Sequence, residues 1–282
     1  MIFRHLTETD FTSLHDTLQL AYADYAIPAR MTETEFKGLL SRDNVRFDFS
    51  VGVFLEGKMI GFTINGSGLY QGRETIFDSG TGILPAHRRQ GVGRRMFEFL
   101  LPRLKESGAE QYVLEVITGN EPAIGLYRQL GFEIVREFDI AARNQIQAIP
   151  QTSEDLVIKE IKVPDWSTFQ SFWDFHPSWF NSIEAYERNN AGKYLLGAFH
   201  NDRLVGYGLV TARYGAIMQL AVDRAFRRRG TGRALLAALQ SKTSQPLRMN
   251  NIDVSEKSIM AFCQALGFTR IVSQFEMRLP LS

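Results

Sequence analysis

Apolar positions along this chain fall into short strand-length runs and longer stretches where they recur on one helical face. Ile2-Phe3-Arg4-His5-Leu6 reads as an opening strand. Helices should follow, and Thr32 with Glu35 forms a capping box that starts the second of them. Gly52 to Phe62 reads as strand, two-residue turn and strand, with Glu56-Gly57 at the turn. A strand over Thr75–Leu84 leads into a glycine-containing loop. In the helix after it, Met96, Phe97, Leu100, Leu101 and Leu104 share one face. Pro102 should kink that helix or end it early. A strand over Gln111–Ile117, a short helix and a closing strand over Glu133–Phe138 complete the order.

The same order then repeats. Gly197 to Tyr207 aligns without gaps to Gly52–Phe62, with Asn201-Asp202 at the turn. Arg227-Arg-Arg-Gly-Thr-Gly232 matches Arg88-Arg-Gln-Gly-Val-Gly93, and Leu266-Gly267-Phe268 matches Leu130-Gly131-Phe132. The offsets of 145, 139 and 136 residues shrink along the chain, so the second copy has shorter loops. Three matches in one order identify a duplication. Leu156 to Ile161 opens the second copy, Ala216–Val222 and Pro246–Ile252 are its later strands, and Leu235, Leu236 and Leu239 form its helical stripe. The polar, aperiodic stretch Ala141–Glu154 reads as a linker, which divides the chain into domains 1–145 and 153–282. Strands alternating with helices predict an α/β fold with a mixed sheet in each domain.

Composition is consistent with this picture. A chain of 282 residues, 44% hydrophobic, suffices for two cores. The single cysteine, Cys263, excludes an intrachain disulfide and suits a reducing compartment. No basic-then-apolar leader and no run of membrane-spanning length is evident, so a soluble cytoplasmic protein without membrane contact is expected. The net charge of +1 argues against a nucleic-acid partner. Residues 1–150 carry 16 basic against 19 acidic side chains and residues 151–282 carry 16 against 12, or −3 and +4. Much of the second half's positive charge lies in Arg224–Arg233, a cluster that suits a small polyanion. The histidines His5, His15, His87, His176 and His200 show no metal-ligand spacing, so no metal is expected.

Candidate chemistry concentrates in the two glycine loops. A strand, then Arg-x-x-Gly-x-Gly, then a helix lets phosphate oxygens approach backbone N–H groups at a helix N-terminus. Arg88, Arg89, Arg94, Arg95, Arg227, Arg228, Arg229 and Arg233 would add charge-assisted bonds. No Gly-Lys-Ser/Thr follows, which excludes an ATPase loop, and the third glycine of a dinucleotide fingerprint is missing. A single such loop could equally be a basic turn capping a helix. Its occurrence twice, each time after a hairpin and before Leu-Gly-Phe, favours a pyrophosphate site.

These residues resemble the GNAT superfamily of acyl-CoA N-acyltransferases in tandem form. The resemblance implies two GNAT-like domains, each a mixed, mostly antiparallel sheet flanked by helices. It implies that Arg88, Arg89, Gln90, Gly91, Val92, Gly93 and Arg94, and likewise Arg227, Arg228, Arg229, Gly230, Thr231, Gly232 and Arg233, bind the coenzyme A pyrophosphate. Ile83, Leu84 and Val222, on the preceding strands, would bond the pantetheine arm by backbone groups. Within Asn120–Phe132, Asn120 would contact the cofactor and Tyr127 would lie near its sulfur. Acetyl-CoA is then the acyl donor and an amine the acceptor. Attack is direct, and Tyr127 is the general acid for the departing thiolate. Glu115 and Asp78 are candidates for the base.

The halves differ at the chemistry. Anchored on Leu-Gly-Phe, Tyr127 falls opposite Cys263 and Asn120 opposite Glu256, which favours catalysis by the N-terminal half. The aromatic run Trp166, Phe169, Phe172, Trp173, Phe175, Trp179 and Phe180 reads as core, with an acceptor-pocket wall as the minority reading; Tyr22, Tyr25 and Pro28 occupy the comparable region of copy one. An N-acetyltransferase acting on a small molecule or peptide is the leading expectation. A coenzyme A-binding regulator without turnover is the alternative.

Overall fold

The computed structural model of the protein describes residues 1–25, 30–143 and 156–281. Pro28 and most of the expected linker lie outside these. Two compact units divide the chain: Met1–Val135 with Phe275–Ser282, and Arg136–Gln274.

In chain order the first unit contains β1 (Ile2–His5), α1 (Phe11–Ala21), α2 (Glu33–Arg42), β2 (Val51–Leu55), β3 (Lys58–Tyr70), β4 (Arg73–Ile83), α3 (Val92–Lys105), β5 (Gln111–Ile117) and α4 (Glu121–Gln129). β6 (Glu133–Ala142) then carries the chain into the second unit, which contains β7 (Val157–Glu160), α5 (Trp166–Ser171), α6 (Ile183–Arg188), β8 (Lys193–His200), β9 (Arg203–Thr211), β10 (Ala216–Val222), α7 (Thr231–Gln240), β11 (Arg248–Asp253), α8 (Lys257–Ala265) and the start of β12 (Thr269–Pro280).

The first unit's strands follow the order β1-β2-β3-β4-β5. The first three pairings are antiparallel and β4–β5 is parallel. In the second unit β7-β8-β9-β10 pair antiparallel, β10–β11 parallel and β11–β6 antiparallel. Each unit is therefore α/β with a mixed, mostly antiparallel sheet, as the repeat predicts.

Local signals explain the elements. Glu56 and Gly57 have φ of 51° and 79°, and Asn201 and Asp202 have 47° and 59°, so both hairpins turn through left-handed residues. The box at Thr32 forms, with Glu35 N–H donating to the Thr32 hydroxyl and Thr32 N–H to the Glu35 carboxylate. Gly61 pairs with Ile83 and Gly206 with Val222, spans of 22 and 16 residues. The fall in offset from 145 to 139 thus lies in the longer β3–β4 hairpin, whose tip at Gln71-Gly72 the sequence reading left out.

Of the two outcomes expected at Pro102, the early end does not occur: α3 runs through Pro102 to Lys105. Met96, Phe97, Leu100 and Leu104 are all fully buried, so packing along both turns outweighs the bond the proline removes.

Each unit also draws on the other half of the sequence. Met277 and Leu281 join the core beneath α3 and α4, together with Val51, Ile76 and Leu114. Leu281 N–H donates to Glu110 O, and Tyr70 donates to the fully buried carboxylate of Glu276 at 2.8 Å. Conversely, residues Phe138–Ala142 of β6 pair with β11 inside the second unit. The strand after Phe132 therefore does not close the sheet that precedes it, and the compact units differ from the contiguous division 1–145 and 153–282.

Candidate active site

In both units the parallel strand pair comes apart where the candidate residues gather. β4 and β5 pair from Thr75↔Gln111 only to Asp78↔Leu114, although both continue well beyond. β10 and β11 pair only at Ala216↔Arg248 and Ile217↔Met249. A bulge sits beside each split: Ser79 is the extra residue on β4 and Met218 on β10. The ladders thus match Asp78 to Ile217, Thr81 to Leu220 and Ile83 to Val222.

The loops have one backbone conformation. Arg89 and Gly91 have φ of 60° and 73°, and Arg228 and Gly230 have 61° and 87°. A Cβ on Gly91 would meet nothing within 4 Å. One on Gly93 would come within 3.1 Å of Leu126 and 3.3 Å of Ile83, and one on Gly232 within 3.2 Å of Phe262. The first glycine therefore makes the turn and the second lets the helix approach its neighbours. The intrahelical ladders begin with Arg95 N–H to Gly91 O and Ala234 N–H to Gly230 O, so the N–H groups before them lack helical acceptors. A diphosphate laid against either turn would meet these donors and no side chain at the first glycine. That geometry fits coenzyme A.

The side chains around the loop are not alike. Arg89, Gln90 and Arg94 are exposed, and Arg94 is paired with Glu98. Val92 and Thr231 are buried, the latter with its hydroxyl on Phe226 O. Arg229 lies over the Phe226 ring, and Arg228 and Arg233 line a cavity described below. Leu84, half-buried, donates its N–H to Ile60 O. Arg88 and Arg227 have internal partners. Arg88 Nε donates to Ile83 O at 3.0 Å, Nη2 to Ala21 O at 2.8 Å, and Nη1 to Asp24 at 2.7 Å.

In the first unit Asp78 is buried beside the split. Gly80 N–H donates to one of its oxygens at 2.9 Å and Thr81 Oγ1 lies 2.7 Å from the other. Thr81 Oγ1 is also 2.9 Å from Thr63 Oγ1. When Asp78 is ionised, Thr81 donates to it and accepts from Thr63. When Asp78 is protonated, the direction reverses. Burial raises the Asp78 carboxyl to about 6 against these two hydrogen bonds. Its charge in turn opposes ionisation of Tyr22, Tyr25, Tyr112 and Tyr127.

Tyr127 is 7% exposed and packs edge-on against Phe97. Burial first, and then the Asp78 charge, hold its phenol well above the usual value, so it is protonated at neutral pH. Asn120 caps α4, accepting from Ala123 N–H, and its amide donates to Tyr25 at 3.4 Å. Tyr22 donates to Thr81 O at 3.0 Å. Glu115 is half-buried one residue beyond Leu114, on the opposite face of β5 from Leu114 and Tyr112, with which Tyr127 packs. The structure thus brings Asp78 together with the phenols and leaves Glu115 apart from that core.

The second unit keeps the frame and changes the chemistry. Phe268 N–H bonds to Cys263 O at 3.0 Å, as Phe132 N–H does to Tyr127 O, which confirms that Cys263 replaces Tyr127. Cys263 is buried beside Met249, and burial pushes its thiol up to about 12. Glu256 occupies the cap position of Asn120 without a side-chain cap bond. A cavity of about 620 Å³ lies along β10, α8 and the start of α7. Its polar lining includes Asp174, Arg227, Arg228 and Arg233, and beside them a chain of neutral groups: Trp173 donates to Tyr207, Tyr207 to Gln219 at 2.6 Å, and Gln219 to Asn181 O at 2.6 Å. Of the aromatic run, Phe169 and Trp179 are core, while Phe172, Trp173 and Phe175 line this cavity. Among the described residues, no cluster of three or more His, Cys, Asp or Glu could hold a metal, and no helix is long and apolar enough to cross a membrane.

Residues 11–132 match the model of the acetyltransferase (GNAT) family, and residues 163–278 match that of an acetyltransferase (GNAT) domain. Streptothricin acetyltransferase of Streptomyces lavendulae is 35% identical over 82 residues, 29% of this chain and 42% of that protein. The ribosomal protein bS18-alanine N-acetyltransferase of Escherichia coli is 38% identical over 80 residues, 27% of this chain and 49% of that protein. The chain thus spans less than half the length of these relatives. A tandem GNAT protein from the clavulanic acid biosynthesis pathway superposes with a TM-score of 0.76 at 15% identity, over 100% of this chain and 98% of that one. A GCN5-related N-acetyltransferase from Sphaerobacter thermophilus gives 0.73 at 16% identity, over 99% and 95%. At such identities the likeness is one of fold.

Proposed function

Because the chain belongs to the GNAT acetyltransferase family, with one such domain in each half, we propose that it moves an acetyl group from acetyl-CoA to a primary amine. The acceptor class is a small molecule or peptide, and the first unit does the chemistry. The observation that carries this reading is the buried pair Asp78 and Tyr127, with half-buried Thr81 bonded to Asp78, on the strand that leads into the glycine loop and the helix that follows β5.

In this reading the loop Arg89–Arg94 and the first turn of α3 hold the pyrophosphate, with Ile83 and Leu84 along the pantetheine arm. The acceptor enters as an ammonium ion and gives its proton to Asp78, whose pKa near 6 suits a base at neutral pH. The neutral amine attacks the thioester carbonyl. A C–N bond forms, the C–S bond breaks and the thiolate leaves; the acylated nitrogen sheds its second proton to solvent, from which Tyr127 is reprotonated after turnover. Tyr127 donates a hydrogen bond to the developing thiolate and then its proton. Its raised pKa keeps the proton in place until the sulfur, in the same poorly solvated space, becomes basic enough to take it.

A second reading applies to the second unit: coenzyme A binding without transfer. Ile217, Leu220 and Cys263 stand where the first unit has Asp78, Thr81 and Tyr127, yet the loop is kept. The carboxylate that lines its cavity, Asp174, is paired with Arg227, and at the bulge Gln219 and Tyr207 offer an amide and a phenol in place of a buried acid. Thiol release from acetyl-CoA, measured across a panel of primary amines, tests the whole proposal. Release with at least one amine supports it, whereas binding of coenzyme A with no release from any amine would make the protein a binding module.

A further inference from the structure

The first arginine of each loop has the same three kinds of partner within the protein. Arg88 Nε bonds the strand carbonyl of Ile83 and Arg227 Nε that of Val222, at 3.0 and 2.9 Å. Nη2 of each bonds a carbonyl at or just past the end of its unit's first helix, Ala21 O at 2.8 Å and Phe172 O at 3.2 Å. Nη1 of each bonds a carboxylate two or three residues further on, Asp24 at 2.7 Å and Asp174 at 3.0 Å. Arg88 Nη2 also reaches the second oxygen of Asp24, so four of its five N–H donors have these partners. Ile83 and Val222 are equivalent by ladder register, so three of these bonds recur, one for each guanidinium nitrogen, across a deeply diverged repeat.

A phosphate ligand would need that guanidinium turned outward, as Arg89 is placed. Turning Arg88 would take its Nη2 donor from the carbonyl of buried Ala21 at the end of α1 and release the exposed Asp24 carboxylate to water. The segment it holds carries Tyr22, which bonds Thr81 O, and Tyr25, which accepts from Asn120. Both phenols feel the charge of Asp78.

We propose that Arg88, and Arg227 in the second unit, are positioning residues: each clamps the segment after its unit's first helix, through Asp24 or Asp174, to the strand end that leads into the glycine loop. This rests on the reading of that loop as the coenzyme A site. Phosphate charge is then met by the backbone N–H groups and the exposed arginines. The clamp sets where the acceptor-side tyrosines stand relative to the pantetheine strand.

The test uses the full chain with Arg88→Gln, Asp24→Asn and the double variant. Coenzyme A binding is read by calorimetry and backbone amide exchange by mass spectrometry. Both single variants should exchange faster over Ala21–Tyr25 than the unaltered protein, with no change over α3 and β5. Each should bind coenzyme A within about threefold of the unaltered protein, and the double variant should match the worse single variant. Arg88→Lys should restore part of the protection. A tenfold or larger loss of affinity in Arg88→Gln that Asp24→Asn does not share would make Arg88 a phosphate ligand and overturn the proposal. So would unchanged exchange in both single variants. Failure of the unaltered protein to bind coenzyme A would instead overturn the family-based reading of the loop. Arg227→Gln and Asp174→Asn repeat the test should the first pair fail to fold.

Discussion

Asp78 is stored in the fold at a cost, and that cost is measurable. Its folded pKa of about 6 lies above the usual carboxylate value near 4, so the folded state favours the protonated form. The stability this provides is full below pH 4 and is lost as pH rises through 6. Asp78→Asn should therefore raise Tm at pH 8 by an amount worth on the order of 1–3 kcal/mol, a gain that shrinks to nothing near pH 4. The same variant should abolish the limb of the kcat profile that rises through pH 6. A kcat profile still rising through pH 6 in Asp78→Asn would remove Asp78 from the base role. For Tyr127→Phe, kcat should fall by roughly 10²–10⁴ while the KM for acetyl-CoA changes little, because the hydroxyl acts as sulfur charge develops. Cys263→Ser should leave turnover unchanged, since Cys263 sits in an apolar core beside Met249. Tyr127 and Asn120 became candidates through the family resemblance of Asn120–Phe132, and their burial and packing could not be read from it. The choice between Asp78 and Glu115 could not be read, since it depends on the face each takes on its strand and on the bulge at Ser79.

Among the elements, the loop and the first turn of α3 were the most legible in the sequence, because glycine at φ 73° and 87° is a backbone requirement that only certain residues meet. The two hairpin turns were legible for the same reason. The partner of the first arginine was not, because Asp24 and Asp174 lie 64 and 53 residues away. The usable hint was an aromatic residue shortly before an acid in both halves, Tyr22 before Asp24 and Trp173 before Asp174. Pro102 misled because helix propensity is weak beside a fully buried face. The loop geometry gives a prediction for both copies. Gly91→Glu places a carboxylate on the open side of the turn, where the pyrophosphate would lie, and should weaken coenzyme A binding at that site tenfold or more, the loss of about one charge-assisted hydrogen bond. Gly230→Glu should do the same at the second site. Calorimetry should then show two sites in the unaltered protein and one in each variant. Full two-site binding in both variants would show that the turns are not the pyrophosphate sites.

At the scale of the molecule, the duplication was legible but the exchange of closing strands was not. Residues Glu133–Phe138 have strand character in the sequence, yet nothing local says which sheet they join. Pairing depends on partners more than a hundred residues away: Asp139 receives a hydrogen bond from Ser273, and Glu276 receives one from Tyr70. Burying Met277 and Leu281 is worth roughly 1.5–3 kcal/mol each, a sum comparable with the net stability of a whole domain, about 5–15 kcal/mol. A fragment ending near residue 143 would lack both side chains and the Glu276 carboxylate to which Tyr70 donates. We therefore expect residues 1–145 expressed alone to be insoluble or loosely packed, and adding residues 156–282 in trans to rescue them. A protease site placed between residues 144 and 155 gives the sharper measurement. After cleavage the two fragments should still elute together at the mass of the intact chain, 32.1 kDa, and part only in denaturant. Each unit would keep a strand from both fragments, so cutting the connection removes no core residue. Two separate native peaks of about half that mass would mean that the halves close their own sheets, and the contiguous division at 145 and 153 would stand.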